Sequence, residues 1–263
     1  MQIGFLGPKT SFSHEAAIAV FPNDNLVALN SIRAVFASLV TREVTEAIVP
    51  IENSRGGSVS ATLDELIEKD IFIIGEYFLH VKHCFLARRP LSEIKKIYSH
   101  PQGFAQCRNW IDRNAFDKEL VEVGSTSKAA ENASLGFASG AIASHLAGEK
   151  FGLDVLDGEI NDDKENITRF AIVSKRSALP EGKKKTGLVF GVKDKPGALC
   201  EVLKSFEKFD VNLIKLESRP SRRKKWEYLL FAEIEGNTSE EKVSKSLKEI
   251  GEHTSFLKVL GSY

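Results

Sequence analysis

The chain has 263 residues, more than one compact domain usually holds, so two domains are expected. Hydrophobic residues make up 42% and charged residues 27%, an ordinary globular balance that can bury a full core. Lys+Arg and Asp+Glu both number 36, so the net charge is zero and no bulk field favours nucleic acid or a membrane as partner. The three cysteines, Cys84, Cys107 and Cys200, are widely spaced and form no CxxC, which suggests neither a disulfide framework nor a zinc site. The start, MQIGFLGPKTSFSHEA, has no basic segment followed by an apolar stretch, and no apolar run approaches a membrane span. A cytoplasmic protein with reduced thiols is expected.

Strand-like and helix-like segments alternate through the first two-thirds. Gln2 to Leu6 is short and apolar and ends in Gly7-Pro8, a strand entering a turn. Ser13 opens SHEAAIAVF, whose early Glu15 and alanines suit a helix. A strand is expected over LVAL at 26–29, a helix capped by Ser31 after it, and a buried strand over EAIVPI at 46–51. A helix near 58–69, a strand near 71–79 and a helix after His100-Pro101 repeat the order, which argues for mostly parallel sheets flanked by helices. Between Ser174 and Thr186, KRSALPEGKKK reads as a solvated linker. Beyond it, GLVFGVK, KPGALCEVLKSFEKF, NLIKLESRP, WEYLLFAEIE, SEEKVSKSLKEIGEH and FLKVL read as βαββαβ, with a polar turn around SRRKK, a ferredoxin-like unit.

Four places in the first domain put hydroxyl or amide residues between an apolar strand and a helix. They are Thr10-Ser11-Phe12-Ser13, Asn53-Ser54-Arg55-Gly56-Gly57, Ser99-His100-Pro101-Gln102 and Ser125-Thr126-Ser127. Helix capping accounts for any one of them. Four together point to a ligand beyond the carboxyl ends of the strands, where helix N-termini favour anions. With neither GxxxxGK[ST] nor GxGxxG present, a carboxylate fits better than a nucleotide. In NITRFAIV, alternation sets Thr168 and Phe170 on one strand face and Arg169 on the other. A hydroxyl beside a ring suits a ring that itself carries a hydroxyl, although an ordinary strand threonine would look the same.

Other candidates carry less. His80 and His83, three apart in an expected strand, point to opposite faces and make poor metal partners. His14 and Glu15 are neighbours on one helix and do not converge as a triad needs. The acidic run Glu159–Glu165 reads as a solvated loop rather than a divalent-ion site. No metal site is expected.

In their order and spacing GPKTSFSHEA, VPIENSRGGSV, SHPQGFAQC, STSKAAE, AIASHLAGEKFGL and NITRF resemble the prephenate dehydratases, and KPGAL with NLIKLESRP resembles the effector segments of the ACT domain fused to them. The resemblance covers nearly the whole chain, and PIENS, TRF and ESRP together are highly specific. It implies a two-lobed α/β catalytic domain, similar to periplasmic binding proteins, over 1–175, a linker over 176–186 and an ACT regulatory domain over 187–263. The implied reaction converts prephenate to phenylpyruvate, carbon dioxide and water in phenylalanine biosynthesis, with no cofactor. Thr168 corresponds to the family's catalytic threonine. Ser11, Asn53, Ser54, Thr126, Ser127, Arg169 and Phe170 would bind substrate, Phe170 by packing on its ring. Arg169 could instead form a structural ion pair, and Glu52 reads as structural first. One departure stands out: the family's first loop usually reads GPxGT[FY]S, and here Thr10 replaces the glycine and Ser11 the threonine, a change that bears on the loop backbone.

In the small domain the resemblance sets Gly197, Ala198 and Leu199 of one chain against Glu217, Ser218, Arg219 and Pro220 of an adjacent one, around L-phenylalanine as effector, in a homodimer or homotetramer. Without the resemblance Gly197 would read as a turn and Leu199 as core. Two other readings stand beside this one. An arogenate dehydratase shares the fold and chemistry, and a non-catalytic amino-acid sensor would have no need of Thr168.

Overall fold

A computed structural model describes residues 1–178, 182–220 and 228–263. The expected turn over 221–225, the first two residues of the strand expected from 226, and linker residues 179–181 lie outside the described residues. In chain order the elements are β1 (Gln2–Leu6), α1 (Phe12–Val20), β2 (Asn25–Leu29), α2 (Ile32–Thr41), β3 (Glu46–Asn53), β4 (Gly57–Ser58), α3 (Ser60–Glu68), β5 (Phe72–His80), β6 (Cys84–Ala87), β7 (Lys96–Ser99), α4 (Pro101–Gln106) and α5 (Arg108–Asn114). There follow β8 (Glu119–Glu122), α6 (Thr126–Leu135), β9 (Ser139–Ala143), α7 (His145–Phe151), β10 (Asp154–Asp157) and β11 (Ile167–Ser174). The last third holds β12 (Lys185–Val192), α8 (Ala198–Lys208), β13 (Leu213–Pro220), β14 (Tyr228–Glu235), α9 (Glu241–His253) and β15 (Thr254–Ser262).

The chain divides into two compact units, Met1–Thr62 with Tyr77–Phe170, and Leu63–Glu76 with Ala171–Tyr263. The first unit holds two sheets. One has the order β2-β1-β3-β11-β5, with β4 paired to β3, and only residues 167–170 of β11 and 77–80 of β5 fall in this unit. Its β1 runs parallel to both β2 and β3. The other has the order β10-β6-β9-β7-β8. There β7 is parallel to β8 and β9, while β6 is antiparallel to β9 and β10, so the expectation of mostly parallel pairing fails at β6. The chain enters β6 from β5 of the other sheet through residues 81–83, so β6 lacks the helical connection from a neighbouring strand that sets β7, β8 and β9 parallel.

Helix starts follow local hydrogen-bond chemistry. Ser11, Ser31, Ser125 and Ser144 cap α1, α2, α6 and α7, each accepting a backbone N–H three residues on. Thus α1 is capped two residues before Ser13, the residue expected to open the helix, and Ser13 is buried inside it. On one face of the second sheet Phe85, Ile97, Trp110 and Ile142 form an aromatic-rich core. Its other face presents Ala141 and Ala143 to Ala129, Ala133 and Ala147, and side chains this small let α6 and α7 lie close to the strands.

The second unit contains the βαββαβ sequence as a four-stranded antiparallel sheet, β13-β14-β12-β15, which is the ferredoxin-like order. Leu188, Phe190, Val202, Phe206, Leu230 and Ile250 form the core between this sheet and helices α8 and α9. Residues 63–76 belong to the same unit because the sheet grips them at several points. Lys258 Nζ donates to the carbonyls of Leu66, at 2.7 Å, and Lys69, closing the C-terminus of α3. Lys185 pairs with Glu76 at 2.7 Å, and Arg219 with Asp64 at 3.2 Å. At Gly261 the backbone takes φ 139°, and a Cβ there would lie 2.1 Å from the Ile73 carbonyl oxygen. Only glycine permits that approach. Gly261→Ala should therefore destabilise the protein by about 2 kcal/mol or more, read as a lower urea midpoint. An unchanged midpoint would mean that β15 does not lie on residues 63–76 as described.

Candidate active site

A cavity of about 240 Å³ in the first unit collects residues from both of its sheets. Asn53 ends β3 and Thr168 lies on β11, with Asn166 just before it; Val81 and His83 come from the connection into β6. Phe12 of α1, His100 and Gln106 at the two ends of α4, and Ser125 and Thr126 at the start of α6 complete most of the wall. None of the lining residues is Lys, Arg, Asp or Glu. The wall is rich in amides, hydroxyls and helix-start N–H groups.

Asn53 organises one side of it. Its Oδ1 accepts the backbone N–H groups of Arg55, at 3.0 Å, and Gly56, at 2.9 Å, an Asx turn that settles which way the amide faces. The Nδ2 group consequently points to β11 and donates to Asn166 Oδ1 at 2.8 Å and Thr168 Oγ1 at 3.0 Å. Because Thr168 Oγ1 accepts this bond, its own O–H remains available to donate. Asn53 thus sits in a β3–β4 turn, not at a helix start.

Of the eight residues read from the sequence as catalytic or substrate-binding, Asn53, Thr126 and Thr168 line the cavity together. The other five do not, and each has an observed role elsewhere. Ser11 Oγ caps α1 and donates to the Leu6 carbonyl at 3.2 Å. Ser54 Oγ accepts Ile167 N–H at 3.1 Å and so fastens the β3–β4 turn to β11. Ser127 Oγ bonds to Thr10 Oγ1 at 2.6 Å and to the Lys9 carbonyl at 2.9 Å. Arg169 pairs with Glu52 at 3.4 Å, the structural alternative, in keeping with Glu52 read as structural. Phe170 is only 1% exposed, inside the core, and the aromatic ring on the cavity wall is Phe12. Alternation gave Phe170 the correct strand face, but two residues along β11 carry it beyond the cavity.

The departing loop residue Thr10 keeps a left-handed backbone, φ 74°, where a β-branched side chain is strained. Its side chain is buried and tied to Ser127, its N–H donates to His14 Nδ1 at 3.0 Å, and its carbonyl accepts Ser144 Oγ at 3.1 Å. These bonds hold it in that conformation.

Sequence reading passed over His83, Gln106 and Asn166. His83 lies between β5 and β6, not within a strand, and is buried with its Nε2 2.9 Å from Gln106 Oε1. Desolvation lowers its affinity for protons, so the ring is neutral near pH 7. Gln106 and Asn166 were visible only as members of SHPQGFAQC and NITRF. Beside Gln106, burial pushes the Cys107 thiol up to about 12, which makes it unreactive. Among the described residues no cluster of three His, Cys, Asp or Glu side chains could hold a metal ion. In the acidic run, Glu159 pairs with Lys82 and Asp163 with Arg55, and Asp162 Oδ1 accepts Asn109 N–H at 3.0 Å.

In the second unit Gly197 has φ 79° and starts α8, Ala198 is buried beneath it, and Leu199 packs on the core. Glu217, Ser218 and Pro220 lie on β13, a strand at the sheet edge whose Ile214 and Leu216 are exposed. Arg219, read as an effector ligand, instead holds Asp64 of α3.

Residues 3–178 match the family model for prephenate dehydratase, and residues 186–252 that for the ACT domain. The chain belongs to the prephenate dehydratase family. It is 42% identical, over its whole length and 73% of the relative, to the bifunctional chorismate mutase/prephenate dehydratase of Aquifex aeolicus. A solved prephenate dehydratase from Arthrobacter aurescens, in complex with L-Phe, aligns over 100% of this chain and 90% of its own, with TM-score 0.92 and 32% identity. GqqA, described as a novel type of quorum quenching acylase, aligns over 100% of this chain and 97% of its own, with TM-score 0.91 and 28% identity.

The Asn53 geometry makes a directional prediction. An aspartate at 53 can still accept the Arg55 and Gly56 N–H groups but loses the donor bonds to Asn166, Ile167 and Thr168, so Asn53→Asp should keep its turn and fold with a lowered denaturation midpoint. Its second oxygen would, however, draw the Thr168 O–H toward itself and repel an anionic substrate. Turnover of prephenate should fall about a hundredfold or more, and at least as far as in Asn53→Ala. An aspartate variant retaining half of the activity would show that the Nδ2 bond to Thr168 is not needed.

Proposed function

We propose that this cavity is the site where prephenate loses carbon dioxide and its ring hydroxyl to give phenylpyruvate. The observation that carries the reading is the Asn53 Nδ2–H bond into Thr168 Oγ1, which leaves the threonine O–H to donate inside a cavity lined by no Lys, Arg, Asp or Glu. Prephenate dianion plus one proton gives phenylpyruvate anion, carbon dioxide and water. The electron pair of the breaking C–CO₂ bond moves through the ring diene and expels hydroxide, and aromatisation drives the step. Hydroxide is a poor leaving group, so the needed proton should be delivered as the C–O bond breaks, a contribution of about 10²–10⁴ in rate for a positioned acid. Thr168 is the donor, recharged through water or a side-chain relay because a threonine alone is too weak an acid.

Thr126 and the N-terminal field of α6 would take a carboxylate, and Phe12 the apolar ring face. Excluding charged groups suits a decarboxylation, in which negative charge disperses from a carboxylate into the ring. The GqqA likeness shows that the fold alone does not decide the chemistry.

The reading extends to regulation. The catalytic part spans 1–175, a linker 176–186 and the ACT domain 187–263, and phenylalanine is the inhibitory effector. It would sit between Gly197-Ala198-Leu199 of one chain and Glu217-Ser218 with Pro220 of another, in a cytoplasmic homodimer or homotetramer. The edge position of β13, with exposed Ile214 and Leu216, supports pairing of two chains there. Effector control of this kind needs a coupling of typically about 1–3 kcal/mol.

Phenylpyruvate formation from prephenate, with arogenate as the parallel substrate, tests the assignment. Thr168→Ala should lower kcat about a hundredfold or more with a modest change in KM, and Thr168→Ser should keep more activity. An alanine variant above half of normal turnover would overturn the role of Thr168; faster turnover of arogenate would reassign the substrate.

Calorimetric titration tests regulation. L-phenylalanine should bind the full chain, and Ser218→Leu should weaken that binding about tenfold or more. Arg219→Ala should instead destabilise the second unit, because it removes the part-buried ion pair with Asp64. No phenylalanine binding at millimolar concentration would refute the regulatory reading while leaving the catalytic one intact.

A further inference from the structure

We infer that His83 is a positioning residue: as a neutral imidazole protonated on Nε2, it holds Oε1 of Gln106 and thereby turns the Gln106 NH₂ group to the ligand. The inference rests on the cavity being the prephenate site. His83 is fixed by its backbone, with its N–H donating to Asn161 Oδ1 at 2.6 Å and its carbonyl accepting Ile160 N–H at 2.9 Å. Its ring stands edge-on to Phe12, with centroids 5.2 Å apart at 82°. Ring nitrogen Nε2 lies 2.9 Å from Gln106 Oε1, while Nδ1 is buried with no hydrogen-bond partner among the described residues.

That asymmetry selects the tautomer. A proton on Nδ1 would be a buried donor with no acceptor, whereas an unshared lone pair there costs less. A second proton would add an uncompensated buried charge. Burial indeed pushes the ring below the ordinary histidine range, opposed only by the Gln106 bond. The charged groups on the neighbouring elements are engaged elsewhere: Lys82 with Glu159, Asp163 with Arg55, and Asp162 with Asn109 N–H. The neighbouring Cys84 and Cys107 are themselves held in the thiol form by burial.

With Nε2–H donating, Gln106 can only accept through Oε1. Its NH₂ group, which bonds no other described residue, is then a fixed donor on the cavity wall. A glutamine free to flip would offer a carboxylate or hydroxyl its oxygen as often as its NH₂. His83 removes that choice.

Three measurements test this. In ¹⁵N spectra of the full chain, His83 should show a protonated Nε2 and an unprotonated Nδ1 from pH 6 to pH 8. A Nδ1–H tautomer or an imidazolium would overturn the inference whatever the enzyme turns over. In kinetics, His83→Leu should raise KM for prephenate about tenfold with little loss in kcat, and His83→Gln, which keeps a donor near the Nε2 position, should restore most of it. In a Gln106→Leu background, His83→Leu should add no further change. A full additional loss there would overturn the inference, since His83 would then act other than through Gln106. Should the unaltered chain make no phenylpyruvate, the assigned reaction fails, and the spectra still decide the tautomer.

Discussion

The site depends on the side-chain amide of Asn53 joining two segments 113 to 115 residues apart in the chain. One end of the amide closes its own turn and the other end clamps β11 at Asn166 and Thr168. Ser54 adds a second tie from the same turn. Neither the turn nor the strand could set the direction of the Thr168 hydroxyl alone. A β-turn leaves a side chain free to rotate, and a strand threonine can point its proton at whichever acceptor is near.

Around this clamp the cavity does its electrostatic work with dipoles. A dianionic ligand entering a wall with no cationic side chain is held by oriented N–H and O–H groups, whose effect grows as water is displaced. A lysine or arginine beside the departing carboxylate would stabilise the ground state, in which charge is concentrated, more than the transition state, in which it is spreading. Neutral amides discriminate less strongly against that spreading. The same logic favours a neutral His83.

The second unit sets the sheet that matches the ACT domain in direct contact with part of the region that matches the dehydratase family. Lys258 holds the end of α3, Arg219 its middle at Asp64, and Lys185 the middle of β5 at Glu76, by carbonyl and carboxylate contacts. Arg219 is therefore committed to α3, and an effector bound along β13 would act next to that ion pair. The close approach at Gly261 leaves this packing little room to adjust without repacking.

Short-range chemistry was legible in the amino-acid sequence. Serine caps, strand runs, the βαββαβ order and the family motifs depend on residues a few positions apart, and Ser31 as a cap follows from them directly. The same reasoning proposed Asn53, Thr126 and Thr168, which meet at one cavity. What lay beyond it was every question of convergence. Ser54 and Ser127 have suitable hydroxyls, yet tertiary bonds consume them, Ser11 is spent on a local helix cap, and Phe170 is buried in the core rather than on the cavity wall. His83 looked like an isolated strand histidine because nothing near it in sequence announces Gln106, 23 residues on, as its partner. Capping and periodicity are decided within one or two turns of chain, whereas burial, tautomer and the direction of a hydroxyl are decided by whatever the fold brings alongside.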